Sequence, residues 1–262
     1  MDSLASRTSI RGTPKSVREE LVAAVERSEL RTKPFEHIYM EEVLDPGAYS
    51  RLLDNMPDRR FYHELKHQDA MRSDGSSTRL RLYLYPELVR RMRENQRRVW
   101  LPVAEALCSP QLEAAFKAKF RATLEERFGK PAEKIKVYPV PILLRDQPGY
   151  RISVHSDAKS KAITVQFYLP KDESQRGIGT IFHEDVAGEG AQRTTQMPFV
   201  PASGYAFPVS LTKSWHSAAT TTAEDGERVS MMVTYYVVER LRTRVKRRLN
   251  RLGSFFGHNP EG

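Results

Sequence analysis

At Gly129-Lys-Pro131 the hydrophobic period of this chain changes, and that change limits what it can fold into. Upstream, from Pro86 onward, apolar residues recur at helical spacing and predict two helices over about 87–107 and 110–128. The Gly-Lys-Pro run supplies the stop signal. Downstream the alternation is period two, broken by turn residues. It predicts strands near 134–144, 150–156, 161–169, 177–183, 194–200, 204–209, 213–221 and 227–238. Eight such strands suit a double-sheet jelly roll, which limits exposed edges. The expected class is therefore α+β: a double-stranded β-helix (jelly-roll) core with N-terminal helices packed on the outer face of one sheet.

The rest of the chain reads as additions to that core. Residues 1–14 are polar and expected to be disordered. Ser16-Val-Arg-Glu19 is a capping-box pattern that opens a helix through about Arg27. Phe35–Val43 reads as a strand, and Pro46-Gly47 begins a short helix. Residues 57–78 are polar and turn-rich, carry Tyr62, His63, His67 and Arg72, and are long enough to form a lid. Arg79–Tyr85 alternates and predicts a short strand leading to the barrel. Residues 15–238 form one expected domain, with the barrel over about 134–238, and 262 residues are enough for a large core. Cys108, the one cysteine, excludes an intrachain disulfide and reads as a buried small residue of the helix around 101–107. Residues 1–20 hold no apolar stretch of the secretory type, and no run approaches a membrane span, so a cytoplasmic location is expected.

Within the β half, His155-Ser-Asp157 is the spacing that matters. Residues i and i+2 of a strand point to the same side, so this histidine and aspartate can grip one metal. His216 lies far enough downstream for the chain to run several strands and return. It can complete a two-histidine, one-carboxylate set, which holds iron(II) on one face and leaves the opposite positions open. Arg228 follows soon after, at the head of the strong β pattern Arg-Val-Ser-Met-Met-Val-Thr-Tyr-Tyr, where a buried guanidinium can pair with a carboxylate. A second histidine-aspartate pair, His183 and Asp185, reads as a solvated strand end running into a loop.

The ordered set formed by Pro148-Gly-Tyr-Arg-Ile-Ser-Val-His155-Ser-Asp157, Tyr168-Leu-Pro170, Gly179-Thr-Ile-Phe182, Trp215-His216 and Arg228-Val-Ser230 resembles the iron(II)/2-oxoglutarate-dependent dioxygenases in their prolyl-hydroxylase-like branch. The resemblance spans about 134–238. It implies His155, Asp157 and His216 as iron ligands and 2-oxoglutarate and O2 as co-substrates. It also implies Arg228 as the partner of the distal 2-oxoglutarate carboxylate, with Ser230 beside it. Tyr138, Gln166 and Tyr168 have polar tips on apolar strands and are further candidates for co-substrate contact. Trp215 is expected to pack so as to orient His216. The implied reaction is hydroxylation of an unactivated C–H bond with release of succinate and CO2. Related halogenases carry a small residue where this chain has Asp157, so hydroxylation is favoured over halogenation.

Substrate identity is less legible. Arg79 and Arg81 sit just upstream of the barrel and could bind an acidic group, which suggests a small polar or acidic metabolite such as an amino acid or nucleotide. Residues 240–251 hold seven cations and no anion, so of the net +9 only +2 remains for everything else. Leu241, Val245, Leu249 and Leu252 form one apolar stripe in this tail (239–262), ahead of Phe255-Phe256. That is the composition of a helix on an anionic membrane surface, which would make the chain peripheral at the inner face of the membrane. A nucleic-acid patch or docking on its own domain are the other readings. Two alternatives to the oxygenase stay open on sequence alone: a non-catalytic jelly-roll binding module, and a cupin-like metalloenzyme that does not use 2-oxoglutarate.

Overall fold

The computed structural model describes residues 15–66, 68–184 and 193–238. The basic tail, residues 1–14, His67 and Asp185 therefore lie outside the described residues. Eleven strands are found among those described: β1 (Ile38–Met40), β2 (His63–Glu64), β3 (Arg79–Tyr83), β4 (Val137–Asp146), β5 (Ile152–His155), β6 (Lys161–Tyr168), β7 (Thr180–Glu184), β8 (Arg193–Gln196), β9 (Gly204–Pro208), β10 (His216–Ala218) and β11 (Arg228–Val237). They form two sheets. The larger has the order β1-β9-β6-β11-β4-β3-β2 and the smaller β5-β10-β7-β8, with every pairing antiparallel. Strands β4 to β11 are the eight expected from the period-two pattern, dealt between the two sheets in the double-stranded β-helix arrangement.

Alternation along the large sheet gives each face its own task. Ile163, Val165 and Phe167 of β6 and Met231, Val233 and Tyr235 of β11 pack against the helices, in one cluster with Leu21, Val25, Trp100, Leu107, Phe116 and Phe120. The helices are α1 (Val17–Arg27), α2 (Pro46–Asp54), α3 (Pro86–Val89), α4 (Glu94–Leu107), α5 (Pro110–Lys119) and α6 (Arg121–Phe128). Between the sheets lies a second cluster of Tyr168, Phe182, Met197, Phe199, Tyr205, Phe207 and Val209. A third, with Tyr83, Val140, Ile142 and Leu144, lines the β3–β4 side.

Local signals explain the boundaries. Ser16 and Glu19 exchange hydrogen bonds as a capping box at the start of α1. Asp45 caps α2, whose first residue is Pro46. Gly129 closes α6 at φ 62°, a left-handed conformation that costs glycine little. Several expectations need correction. The two helices expected over 87–128 are four, because the chain turns at 90–93 and leaves helical geometry again at the buried Phe120 (φ −106°, ψ 25°). Tertiary packing sets those breaks, and hydrophobic period carries no record of them. The strand expected over Phe35–Val43 pairs with β9 for three residues only. Cys108 is the half-buried C-cap of α4, not a residue within the helix. Among the described residues no helix is long and apolar enough to cross a membrane.

Candidate metal centre

His155 ends β5 and His216 begins β10, and the antiparallel pairing sets them directly opposite each other, with ring centroids 4.3 Å apart. Asp157 follows two residues after His155. One ligand-type atom from each of the three falls within 4.8 Å of the others, and among the described residues no other group of three metal-binding side chains does so. Each histidine is oriented by the backbone carbonyl two residues before it. Nδ1 of His155 lies 2.9 Å from the carbonyl of Ser153, and Nδ1 of His216 lies 3.0 Å from the carbonyl of Ser214. A carbonyl oxygen can only accept, so both Nδ1 atoms carry a proton and Nε2 is the nitrogen each ring has for a metal. A hydrogen bond of this kind at the other ring nitrogen is what orients a metal-binding imidazole.

Asp157 is 6% exposed. Its Oδ1 accepts from Lys161 Nζ at 2.6 Å and its Oδ2 from Thr164 Oγ1 at 2.6 Å. Burial works against its ionisation. The ammonium of Lys161, the neighbouring His216 and the two hydrogen bonds outweigh that and hold the carboxyl well below the usual carboxylate range. Burial lowers His216 to about 4, against the opposing pull of Asp157. One carboxylate held ionised and two imidazoles are a donor set that fits a divalent first-row metal.

The trio forms one end of a cavity of about 230 Å³, also lined by Lys161, Thr164, Gln166, Met232 and Leu65. Arg79, Tyr150, Thr180, Tyr205 and Arg228 line it too. Arg228, 1% exposed, is buried as expected. Its partner is not one of its acidic sequence neighbours: Nη1 donates to Asp146 Oδ2 at 2.8 Å. Nε donates to the Ile178 carbonyl at 3.0 Å and Nη2 to Thr180 Oγ1 at 3.2 Å. Arg79 Nε lies 2.8 Å from the other oxygen of Asp146. From Thr180 a polar chain crosses the sheet: Thr180 Oγ1 to Tyr205 Oη (3.1 Å), Tyr205 Oη to Gln166 Oε1 (2.7 Å), and Gln166 Nε2 to Ser230 Oγ (2.6 Å). Burial pushes the phenols of Tyr168 and Tyr205 upward, so both stay neutral.

The structure thus brings His155, Asp157, His216, Arg228, Gln166 and Arg79 to one cavity. Ser230 is fully buried one hydrogen bond behind Gln166. Tyr138 does not line the cavity; it stacks on Tyr236, at the opposite end of β4 from Asp146. Arg81 is 3% exposed and its guanidinium lies over the Tyr83 ring. Tyr168 donates no ligand but stands under Arg228 and receives the Thr180 amide at 3.0 Å. His183 is not a solvated strand end. It is 6% exposed, bonded to Ser217 Oγ at 2.7 Å, and lies on the face of β7 opposite Phe182. The indole of Trp215 donates to the Thr212 carbonyl within the loop before His216. In the 57–78 segment Leu65 and Lys66 line the cavity, and Asp69 accepts from the Ser153 amide of β5 at 2.8 Å. Tyr62 is buried beneath Arg145, Arg72 bonds Gln147, and His63 is exposed.

Sequence reading missed Asp146, Lys161, Thr164, Thr180 and Tyr205. Asp146 offered one faint signal, a lone carboxylate ending an apolar strand.

No protein-family model and no curated protein matches this sequence. Solved structures do match. One is a prolyl hydroxylase in complex with a hypoxia inducible factor oxygen degradation domain peptide fragment, from Trichoplax adhaerens. It has a TM-score of 0.50 at 9% identity, over 84% of this chain and 89% of that one. A Pseudomonas putida prolyl-4-hydroxylase gives 0.50 at 12% identity, over 84% of this chain and 98% of that one. At such identities the likeness concerns architecture, and this chain has the double-stranded β-helix fold of those prolyl hydroxylases.

Proposed function

We propose that this chain is an iron(II)- and 2-oxoglutarate-dependent oxygenase that hydroxylates a small polar or acidic metabolite. The observation that carries the reading is the cavity with a two-histidine, one-aspartate trio at one end and a doubly arginine-lined wall at the other. The trio suits iron(II) because two neutral imidazoles and one carboxylate leave part of its coordination sphere open. The wall suits a 2-oxo acid with a distal carboxylate because two guanidiniums there share a single anion. When bound, iron and 2-oxoglutarate supply an oxidant able to insert oxygen into a C–H bond, with succinate and CO2 released.

The chain's own residues do the holding. Backbone carbonyls of Ser153 and Ser214 fix the imidazole planes, while Lys161 and Thr164 fix the carboxylate of Asp157. Each Asp157 oxygen keeps a second lone pair for a metal. Arg228, pinned at three points, provides a rigid fork for a carboxylate. Leu65, Ile152 and Met232 give the cavity apolar walls that exclude water from the reacting centre. Asp157 fills the place that halide occupies in related halogenases, which favours hydroxylation. For the 240–256 segment, composition favours an anionic membrane surface over nucleic acid, and co-sedimentation with phosphatidylserine vesicles is the check.

The test of the main reading is anaerobic addition of iron(II) and then 2-oxoglutarate to the metal-free protein, followed by visible absorption. A weak metal-to-ligand charge-transfer band is expected, and it should be absent in His155→Ala, Asp157→Ala and His216→Ala. Iron binding without any band on adding 2-oxoglutarate overturns the co-substrate assignment and leaves a cupin-like enzyme. Binding of neither overturns the enzyme reading.

A further inference from the structure

Arg79, Asp146 and Arg228 stand side by side on β3, β4 and β11, because Asp146 is the register partner of both arginines. Directly opposed residues of neighbouring antiparallel strands share a face, so all three project between the sheets. Their charges do not cancel. Asp146 accepts a hydrogen bond from Arg228 at Oδ2, and its Oδ1 forms an ion pair with Arg79 Nε that lacks hydrogen-bond geometry, each at 2.8 Å. Asp146 is fully buried, Arg228 is 1% exposed and Arg79 8% exposed. Both arginines line the cavity, whereas Asp146 does not and lies behind them. Arg79 is further held by the Tyr150 ring, 4.9 Å from its guanidinium centre. Two cations on one carboxylate leave one positive charge in a place shielded from water, and an uncompensated buried charge calls for a counter-ion.

Arg228 alone would not create that demand. Three of its donor positions are spent on Ile178, Asp146 and Thr180, and its charge is balanced by Asp146. Without Arg79 the wall would be neutral. We propose that Arg79, a residue outside the eight barrel strands, supplies the net charge that holds the distal carboxylate of a 2-oxo diacid, and that it is as necessary for that contact as Arg228. This rests on the 2-oxoglutarate reading above, and it places Arg79 with the co-substrate rather than with the substrate.

The experiment compares dissociation constants of 2-oxoglutarate and 2-oxopentanoate, which has a methyl group in place of the distal carboxylate. Both are measured by calorimetry on anaerobic, iron(II)-loaded protein, and their ratio isolates the distal contact. In the wild type, 2-oxoglutarate is expected to bind about tenfold to a hundredfold more tightly, as for one charge-assisted contact. R228M and R79M should each bring the ratio close to one while iron(II) still binds. The double variant R79M/D146N restores a net single charge and should regain most of the preference. R79K, which keeps the charge, should retain it and covers the case in which R79M does not fold. A wild-type preference that persists in R79M, is lost in R79K, or is no better in R79M/D146N than in R79M overturns the role of Arg79. A wild type with no preference overturns the 2-oxoglutarate reading itself.

Discussion

Gly179 sits where the backbone leaves no room for a side chain, and the cost of adding one methyl group can be worked from the structure. Its backbone is ordinary extended chain (φ −69°, ψ 175°), so conformational strain is not the issue. A Cβ there would lie 1.7 Å from the carbonyl oxygen of Met197 and 2.9 Å from its carbonyl carbon. Both are main-chain atoms and cannot rotate aside, so the segments around 179 and 197 must part by more than an ångström. Parting them strains the Met197 amide bond to the Thr180 carbonyl (2.8 Å) and the Phe199 amide bond to the Arg176 carbonyl (3.1 Å). It also displaces Ile178 and Thr180, which hold Arg228. Overpacking of this kind costs about 1–3 kcal/mol. Loss of one hydrogen bond to a charged group adds about 1.5–3 kcal/mol. Gly179→Ala should therefore destabilise by about 2.5–6 kcal/mol, read from the urea midpoint with an unchanged slope. The preference for 2-oxoglutarate over 2-oxopentanoate should fall as well. Gly177→Ala is the matched control, because nothing lies within 4 Å of its added carbon, and it should stay within about 0.5 kcal/mol of the wild type. A Gly179→Ala protein as stable as that control would refute the close approach of β7 to the 197–199 segment, and with it the argument that this contact seats Arg228.

Thr164→Val keeps shape but removes one of the two hydrogen bonds on Asp157. It should weaken iron(II) binding about tenfold, as for other partners of metal ligands; unchanged affinity by anaerobic titration would show that Lys161 alone orients the carboxylate. His37 predicts a pH effect away from the metal. Burial lowers its pKa from 6.5, opposed by its hydrogen bond to the Phe35 carbonyl and aided by Arg31. The unfolded chain then takes up a proton near 6.5 that the folded chain refuses, so stability present above that pH is lost as the pH falls below it. His37→Phe should flatten the melting-temperature profile between about pH 7 and about pH 5, and an unaltered profile would assign the acid sensitivity elsewhere.

How far the sequence could be read follows from what each pattern encodes. Period-two alternation located the barrel strands most directly where one apolar side turns to a core, as on β6 and β11. It did not separate the metal pair from its decoy, which only the resemblance set aside; the structure supplies the reason, since His155 pairs with His216 whereas His183 follows Phe182 on β7 and faces away from it. Parity gives the face of a residue but not its depth along the strand. Tyr138 shows the difference, since it has the same parity as Asp146 yet stands at the far end of the β4–β11 ladder. Register was the missing quantity. Asp146 matters because it is paired with Arg79 on one side and Arg228 on the other, and nothing local to Asp146 records those partners. The helix breaks at 90–93 and at Phe120 were illegible for a related reason, as they answer to the sheet beneath them.

The same alternation has a consequence for the site itself. On β6 and β11 the residues that bind the helices and those that build the cavity are different residues, so a polar interior does not weaken the helix-facing core. The polar side must then satisfy itself, and it does so through a chain of hydrogen bonds that starts at Arg228. A guanidinium can only donate, so Thr180 Oγ1 accepts from Arg228 and has its proton free for Tyr205. Tyr205 in turn donates to Gln166 Oε1, which sets the amide so that Nε2 donates to Ser230. Each hydroxyl has one proton, so no link can reverse without reversing the next. The chain reaches as far as Gln166, which is register partner to Met232 and stands two residues from Thr164, the residue that holds Asp157. The wall that would receive a distal carboxylate and the side chains that would hold a metal are thus two hydrogen-bonded groups carried by one strand, meeting at Gln166 and Thr164 of β6.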